Sequence, residues 1–190
     1  MRIIAGTCKG RQLQPVTGKS TRPTTDKVKE AVFQMIGPFF NGGNCLDLFA
    51  GSGSLGLEAL SRGMAHGVFV DKHPKAIHTI HGNVKTLNME EKTEIFRADA
   101  FRALQAASKR NLQFDLVFLD PPYGKVNYEK LLEKIDGLQL LTKNGMIYCE
   151  HDTSEQLAPE IGNFSIMKHA DYGGTIGVTI YKRKEGRDRY

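Results

Sequence analysis

The chain has 190 residues, 40% of them hydrophobic and 25% charged, with a formal net charge of +5. That size suits one domain with a substantial core, and the composition excludes a disordered, collagen-like or disulfide-stapled chain. No apolar run approaches the ~18 residues of a membrane span, and the opening MRIIAG lacks the apolar stretch of a secretory signal.

The first 14 residues read as two short strands around Gly6 and Gly10. Thr24 or Thr25 then caps a helix whose apolar positions are Val28, Ala31, Val32, Met35 and Ile36, and Gly37-Pro38 ends it. From residue 45 strands and helices alternate. CLDLFAG is a strand and SLGLEALSRG a helix. GVFVDK is a strand, and Pro74 opens a helix to about Leu87. TEIFRADA and FRALQAASKR form the next strand and helix. FDLVFLD is an apolar strand stopped by Pro121-Pro122, and NYEKLLEKIDGLQLL is a helix. GMIYCEH is a strand, SEQLAPEI a short helix, and the last stretch forms two strands around Gly173-Gly174. Repeated βα units imply a mostly parallel, doubly wound sheet with one antiparallel strand. Residues 1–23 are expected to form a basic arm and residues 24–190 the main domain.

Charge is unevenly spread. Residues 1–35 carry +5, residues 182–190 carry +3, and the middle is −3. Basic ends on a mildly acidic body suit a polyanion, gripped through Arg2, Lys9, Arg11 and Arg22. Cys8, Cys45 and Cys149 are odd in number and far apart, which fits reduced thiols in a cytoplasmic protein.

Ligands of doubly wound sheets bind beyond the carboxyl ends of the strands. There the chain places Gly51-Ser52-Gly53, Asp71-Lys72, Asp99-Ala100 and Asp120-Pro121-Pro122-Tyr123. Gly51-x-Gly53-x-x-Gly56 with Asp71 beyond it has the spelling of a dinucleotide fingerprint. Asp47, upstream in the strand, argues for another ligand, because that position in a dinucleotide strand is usually apolar. A carboxylate there attracts an ammonium, Asp71 suits ribose hydroxyls, and Asp99 suits an adenine amino group. With Phe49, Ala50 and the glycine turn, these groups describe S-adenosylmethionine, and Gly56 becomes a packing position. Pro121 and Pro122 lack N–H groups and fix a rigid turn. The Asp120 carboxylate, the Pro121 carbonyl and the Tyr123 ring together suit a planar base with an exocyclic amine.

Other signals carry no chemistry. Gly18-Lys19-Ser20 lacks the frame of a P-loop. His78 and His81 share a helix face without further ligands, so no metal is expected. His151-Asp152 reads as structural or rim.

The chain resembles Rossmann-fold amino-methyltransferases with a [DNS]PP[YFW] motif, and more closely the bacterial RsmD-like family. The resemblance covers nearly the whole chain. It rests on Arg2-Ile3-Ile4-Ala5-Gly6, Gly10-Arg11, Leu13, Arg22-Pro23-Thr24, Glu30-Ala31-Val32-Phe33, Leu46 to Gly53, and Asp120 to Tyr123. Lys29 and Gln34 depart from the family pattern, which leaves the roles of those two positions open. The resemblance implies a seven-stranded class I methyltransferase fold with a short N-terminal hairpin. It also implies methylation of a guanine N2 in small-subunit ribosomal RNA, free or in the 30S particle; a monomer is the default expectation. A DNA adenine-N6 methyltransferase and a non-catalytic RNA-binding protein on the same fold stand as alternatives.

Overall fold

The computed structural model describes residues 1–18 and 25–184. Helix α1 (Asp26–Ile36) begins where extended Thr25 accepts a hydrogen bond from the Val28 amide, and it stops at Gly37. There follow β1 (Asn44–Asp47), α2 (Ser54–Ser61), β2 (His66–Asp71), α3 (Pro74–Leu87), β3 (Thr93–Arg97), α4 (Ala100–Lys109), β4 (Phe114–Leu119), α5 (Tyr128–Gly137) and β5 (Leu141–Asp152). The chain then closes with β6 (Glu160–Ile161), β7 (Phe164–Tyr172) and β8 (Ile176–Arg183).

All eight strands lie in one sheet, in the order β3-β2-β1-β4-β5-β8-β7-β6. β1 to β5 are parallel, and β8 runs antiparallel between β5 and β7. The chain leaves β1 in one direction and returns to β4 on its other side. That reversal is the topological switch, beside whose carboxyl strand ends the ligands of such sheets bind. The fold is the expected Rossmann-like methyltransferase fold.

The sheet has eight strands rather than the seven expected, and a second strand, β6, also runs against its neighbour. SEQLAPEI is therefore not a helix. Pro159 withholds an N–H, and Gly162, at φ +55°, supplies a turn that folds Ile161 back onto Phe164. Gly162-Asn163 is a hairpin dipeptide, and it overrides the weak helical pattern before it.

Helices α1, α2 and α3 cover one face of the sheet, with Val32, Phe33, Leu57, Leu60, Ile80 and Val84 packed against Phe69 and Phe118. α4 and α5 cover the other, where Leu104, Leu131 and Leu132 meet Val68 and Val117. The N-terminal arm is a hairpin with a single antiparallel bridge, Arg2 to Gln12. Its Ile3 and Leu13 enter the first core, so the arm lies on α2 rather than standing free.

Glu58 fastens the arm. Fully buried in α2, it accepts from the amides of Ile4 and Ala5 and pairs with Lys29 at 3.1 Å and Arg62 at 2.8 Å. Lys29, one of the departures from the family pattern, also donates to the Arg2 carbonyl and to Ser54. Burial lowers its pKa, and Glu58 partly restores it. At Gly6, φ is +86° and a Cβ would lie 1.8 Å from the Ser61 carbonyl oxygen, so only glycine lets the arm cross α2. Among the described residues, no helix is long and apolar enough to cross a membrane, and no cluster of His, Cys, Asp or Glu could hold a metal ion.

Candidate active site

The glycine turn follows β1. Gly51 and Gly53 adopt φ of +56° and +82°, left-handed conformations that disfavour larger residues. A Cβ on Gly51 would meet nothing within 4 Å, so space lies open beside the turn. Gly53 precedes α2 and offers no side-chain cap. Asp47 takes that role: Oδ2 accepts from the amide of Gly56 at 3.1 Å. A Cβ on Gly56 would lie 2.4 Å from the Phe69 ring, which makes it the packing position the sequence suggests.

Asp71 ends β2 and binds the neighbouring turn. Its Oδ2 accepts from the Gly51 amide at 3.0 Å and its Oδ1 from the His73 amide at 2.9 Å. A carboxylate has about four acceptor sites, so capacity remains for a ligand hydroxyl. Asp99 caps α4 through the Arg102 amide at 3.1 Å, and its carboxylate is half exposed. Phe49 and Ala100 are half-buried against the α4–α5 side, Ala50 is buried, and Ser52 is half-buried in the turn. Lys72 is exposed, and its carbonyl accepts from Arg97.

Asp120 follows β4 directly, on the strand beside β1. Its carboxyl is held well above the usual carboxylate range, by burial first and then by repulsion from Glu150 and Asp47. Burial likewise lifts Asp47 to about 7, against the Gly56 amide, which favours the charged form. Pro121 is buried, while Pro122 and the Tyr123 ring are exposed. Two desolvated carboxylates beside an open glycine turn form a site for a ligand that brings positive charge.

Glu150 is the residue that sequence reasoning missed. It is buried near the end of β5, on the strand next to β4, and its charge acts on Asp120. Its carboxylate accepts from Tyr148 at 2.7 Å and from Tyr123 at 3.4 Å, and its carbonyl accepts from Tyr128. The available signal was the one that singled out Asp47, an acid near the carboxyl end of an apolar strand. His151 is structural and not at the rim: it is buried, bonded to Thr179 at 2.8 Å and stacked on His169.

The basic residues of the arm are partly engaged. Arg2 pairs with Asp26 at 2.8 Å, Arg11 donates to the Thr86 carbonyl, and Lys9 is exposed. Arg22 lies outside the described residues.

Residues 1–182 match the family model described as Conserved hypothetical protein 95. The chain belongs to the RsmD family. It is 52% identical to the Bacillus subtilis protein YlbH, named as a candidate rRNA methyltransferase, over 97% of this chain and all of that one. It is 34% identical to ribosomal RNA small subunit methyltransferase D of Haemophilus influenzae, over 96% of this chain and 92% of the relative. Among solved structures, the Escherichia coli protein yhhF, described as a candidate methyltransferase, superposes with a TM-score of 0.84 at 30% identity, covering 97% and 98% of the two chains.

Proposed function

We propose that the protein transfers a methyl group from S-adenosylmethionine to the N2 amine of a guanine in small-subunit ribosomal RNA. The observation that carries this reading is the Asp120-Pro121-Pro122-Tyr123 turn beside the glycine turn, with the Asp120 carboxyl desolvated. The relatives support its coarser part, since the Haemophilus protein is called a ribosomal RNA small subunit methyltransferase.

The donor set fits S-adenosylmethionine. Asp47 suits its ammonium, Asp71 the ribose hydroxyls and Asp99 the adenine amine, with the Gly51–Gly53 turn, Phe49, Lys72 and Ala100 around them. That cofactor supplies an electrophilic methyl group on a sulfonium.

The residues of the chain address the weak nucleophile. The lone pair of an exocyclic amine is delocalised into the ring. Acceptance of its hydrogens by Asp120 and by the Pro121 carbonyl pulls the nitrogen toward a tetrahedral shape and frees the lone pair. Asp120 is poised for charge that develops on that nitrogen. Cationic ligands draw its raised pKa back down, so the carboxyl ionises when the site fills. The methylated nitrogen is acidic and releases its proton without a strong base. Holding the reactants in line contributes up to ~7–11 kcal/mol in the best cases. The base must be unstacked, at a cost of a few kcal/mol, and stacking on Tyr123 returns ~1–3 kcal/mol. Arg2, Lys9, Arg11 and Arg22 hold phosphates, and the protein acts as a cytoplasmic monomer.

The test is methyl transfer from labelled S-adenosylmethionine to naked 16S rRNA, 30S particles and duplex DNA, followed by nucleoside analysis. Label in N2-methylguanosine is expected. Label in N6-methyladenine of DNA would overturn the substrate, and absence of cofactor binding would overturn the enzyme.

A further inference from the structure

The two longest acid-free stretches of the chain are basic. Residues 1–25 contain five Lys or Arg, and residues 72–89 contain three Lys and three His, against about one acid in every nine residues of the whole chain. They lie far apart in sequence and meet in the fold. The Gln14 amide donates to Asn83 Oδ1 at 2.8 Å, and Asn83 Nδ2 returns a bond to the Gln14 carbonyl at 3.0 Å. Arg11 donates to the Thr86 carbonyl, near the carboxyl end of α3. The second stretch spans α3 with the residues on either side of it.

α3 begins at the ligand edge, just after Asp71, and runs away from it. Its inner positions, Ala76, Ile80, Asn83, Val84 and Leu87, are buried. Lys75, His78, Gly82 and Lys85 are exposed and recur at three- and four-residue steps, which puts them on one stripe. Ten residues at 1.5 Å each make that stripe about 15 Å long. Among the described residues, no carboxylate pairs with Lys75 or Lys85, whereas Arg102 and Arg110, at the ends of α4, pair with Asp99 and Glu94. Between the stripe and the arm lies a recess of about 470 Å³, lined by Gln14, Pro15, Thr17, Lys75, His78 and Thr79. Asn83 also donates to the Ser52 carbonyl at 2.8 Å, which ties this face to the glycine turn.

We infer that the outer face of α3, with Lys75, His78 and Lys85, is a second phosphate-binding rail that carries the RNA backbone from the arm to the site. It rests on the RNA reading above. The occupant is a polyanionic strand, because the face offers exposed cations and a recess without a competing carboxylate. Glu90 and Glu91 follow the helix and mark where the rail ends. A rail explains what the arm alone does not: Arg2 and Arg11 are partly spent on Asp26 and Thr86, so phosphate contacts must come from elsewhere too.

The experiment compares wild type with the double variant Lys75→Gln/Lys85→Gln, and with Lys130→Gln/Lys134→Gln on α5, across the sheet. Binding to naked 16S rRNA and to 30S particles is measured by fluorescence between 50 and 200 mM salt, and S-adenosylmethionine binding by calorimetry. Each phosphate contact contributes ~0.7–0.9 to the slope of log K against log salt. The α3 variant should lower that slope by about 1.4–1.8 and weaken RNA binding about tenfold at low salt, with cofactor affinity unchanged. The α5 variant should behave as wild type. An α3 variant with wild-type slope and affinity overturns the rail and leaves the function standing. A loss confined to 30S particles, with naked RNA unaffected, overturns RNA as the occupant in favour of a particle protein. A wild type with no affinity for either probe overturns both readings.

Discussion

Two regions of the molecule bury carboxylates in opposite ways. In α2, Glu58 is surrounded by cations and amides: Lys29, Arg62, Ile4 and Ala5 all donate to it. At the ligand edge, Asp47 takes the Gly56 amide, and Asp120 faces the repulsion of its neighbours. Both regions are desolvated, so the difference lies in the partners. A buried acid with built-in cations is a fastener, and here it holds the arm across α2. A buried acid without them is costly while ionised, and its pKa rises until a cationic ligand arrives.

Breaking the fastener should give the largest effect. Glu58→Gln leaves Lys29 and Arg62 buried without their counter-charge and should cost about 3–5 kcal/mol in urea unfolding. Cofactor affinity of the molecules that stay folded should hardly change; a large loss of affinity with intact stability would reverse the assignment of Glu58 as structural.

The next effect separates chemistry from folding. Asp120→Asn removes charge from the proposed transfer site and should lower turnover by about 10²–10³-fold. Calorimetric affinity for S-adenosylmethionine should stay within a few-fold. Turnover at the wild-type level would remove Asp120 from the mechanism.

Asp47 lies between the two kinds of acid, because it caps α2 and faces the ligand edge. Its folded pKa, about 7, stands above the 3.8 of an unperturbed aspartate. The folded state therefore binds this proton more tightly than the unfolded chain, and stability falls as pH rises between about 4 and 7. Asp47→Asn keeps an acceptor for the Gly56 amide and should gain about 1–3 kcal/mol of stability at pH 8. The same change should weaken S-adenosylmethionine by about 10–100-fold, since a charged hydrogen bond is lost. Wild-type affinity should fall as pH drops through about 7, and the variant should lose part of that dependence. A variant that binds normally at pH 8 would sink the ammonium assignment.

The sequence made the ligand edge legible because glycine turns, strand-end acids and a double proline each leave a local mark. Asp47, Asp71, Asp99 and Asp120 all stand at or just beyond the carboxyl ends of strands. Asp71 was legible as a strand-end acid but not as the clamp on Gly51, because that bond joins residues 20 apart through sheet order. Glu58 was invisible for the same reason. On a helical wheel it is one polar letter in SLGLEALS, and its burial comes from an arm that arrives from the far N-terminus. The miscounted strand has a local cause: β6 is two residues long, below the length at which alternation can be read, and only the Gly162-Asn163 turn announces it.

The smallest effect concerns Tyr123, which reaches the buried acid Glu150 beside Asp120. Its hydroxyl reaches Glu150 at 3.4 Å, a long bond, while Tyr148 holds the same carboxylate at 2.7 Å. Burial and the Glu150 charge both raise the phenol pKa, so the hydroxyl stays protonated across any working pH. In the proposed reaction it is then the stacking face of the ring, not its oxygen, that acts. Tyr123→Phe keeps that face and gives up one weak bond, so turnover should fall less than about threefold, within the ~0.5–1.5 kcal/mol of an ordinary hydrogen bond. Tyr123→Ala removes the face and should raise KM for RNA about tenfold, in line with the ~1–3 kcal/mol of base stacking. Equal losses in the two variants would mean that the hydroxyl acts on the base and that stacking does not.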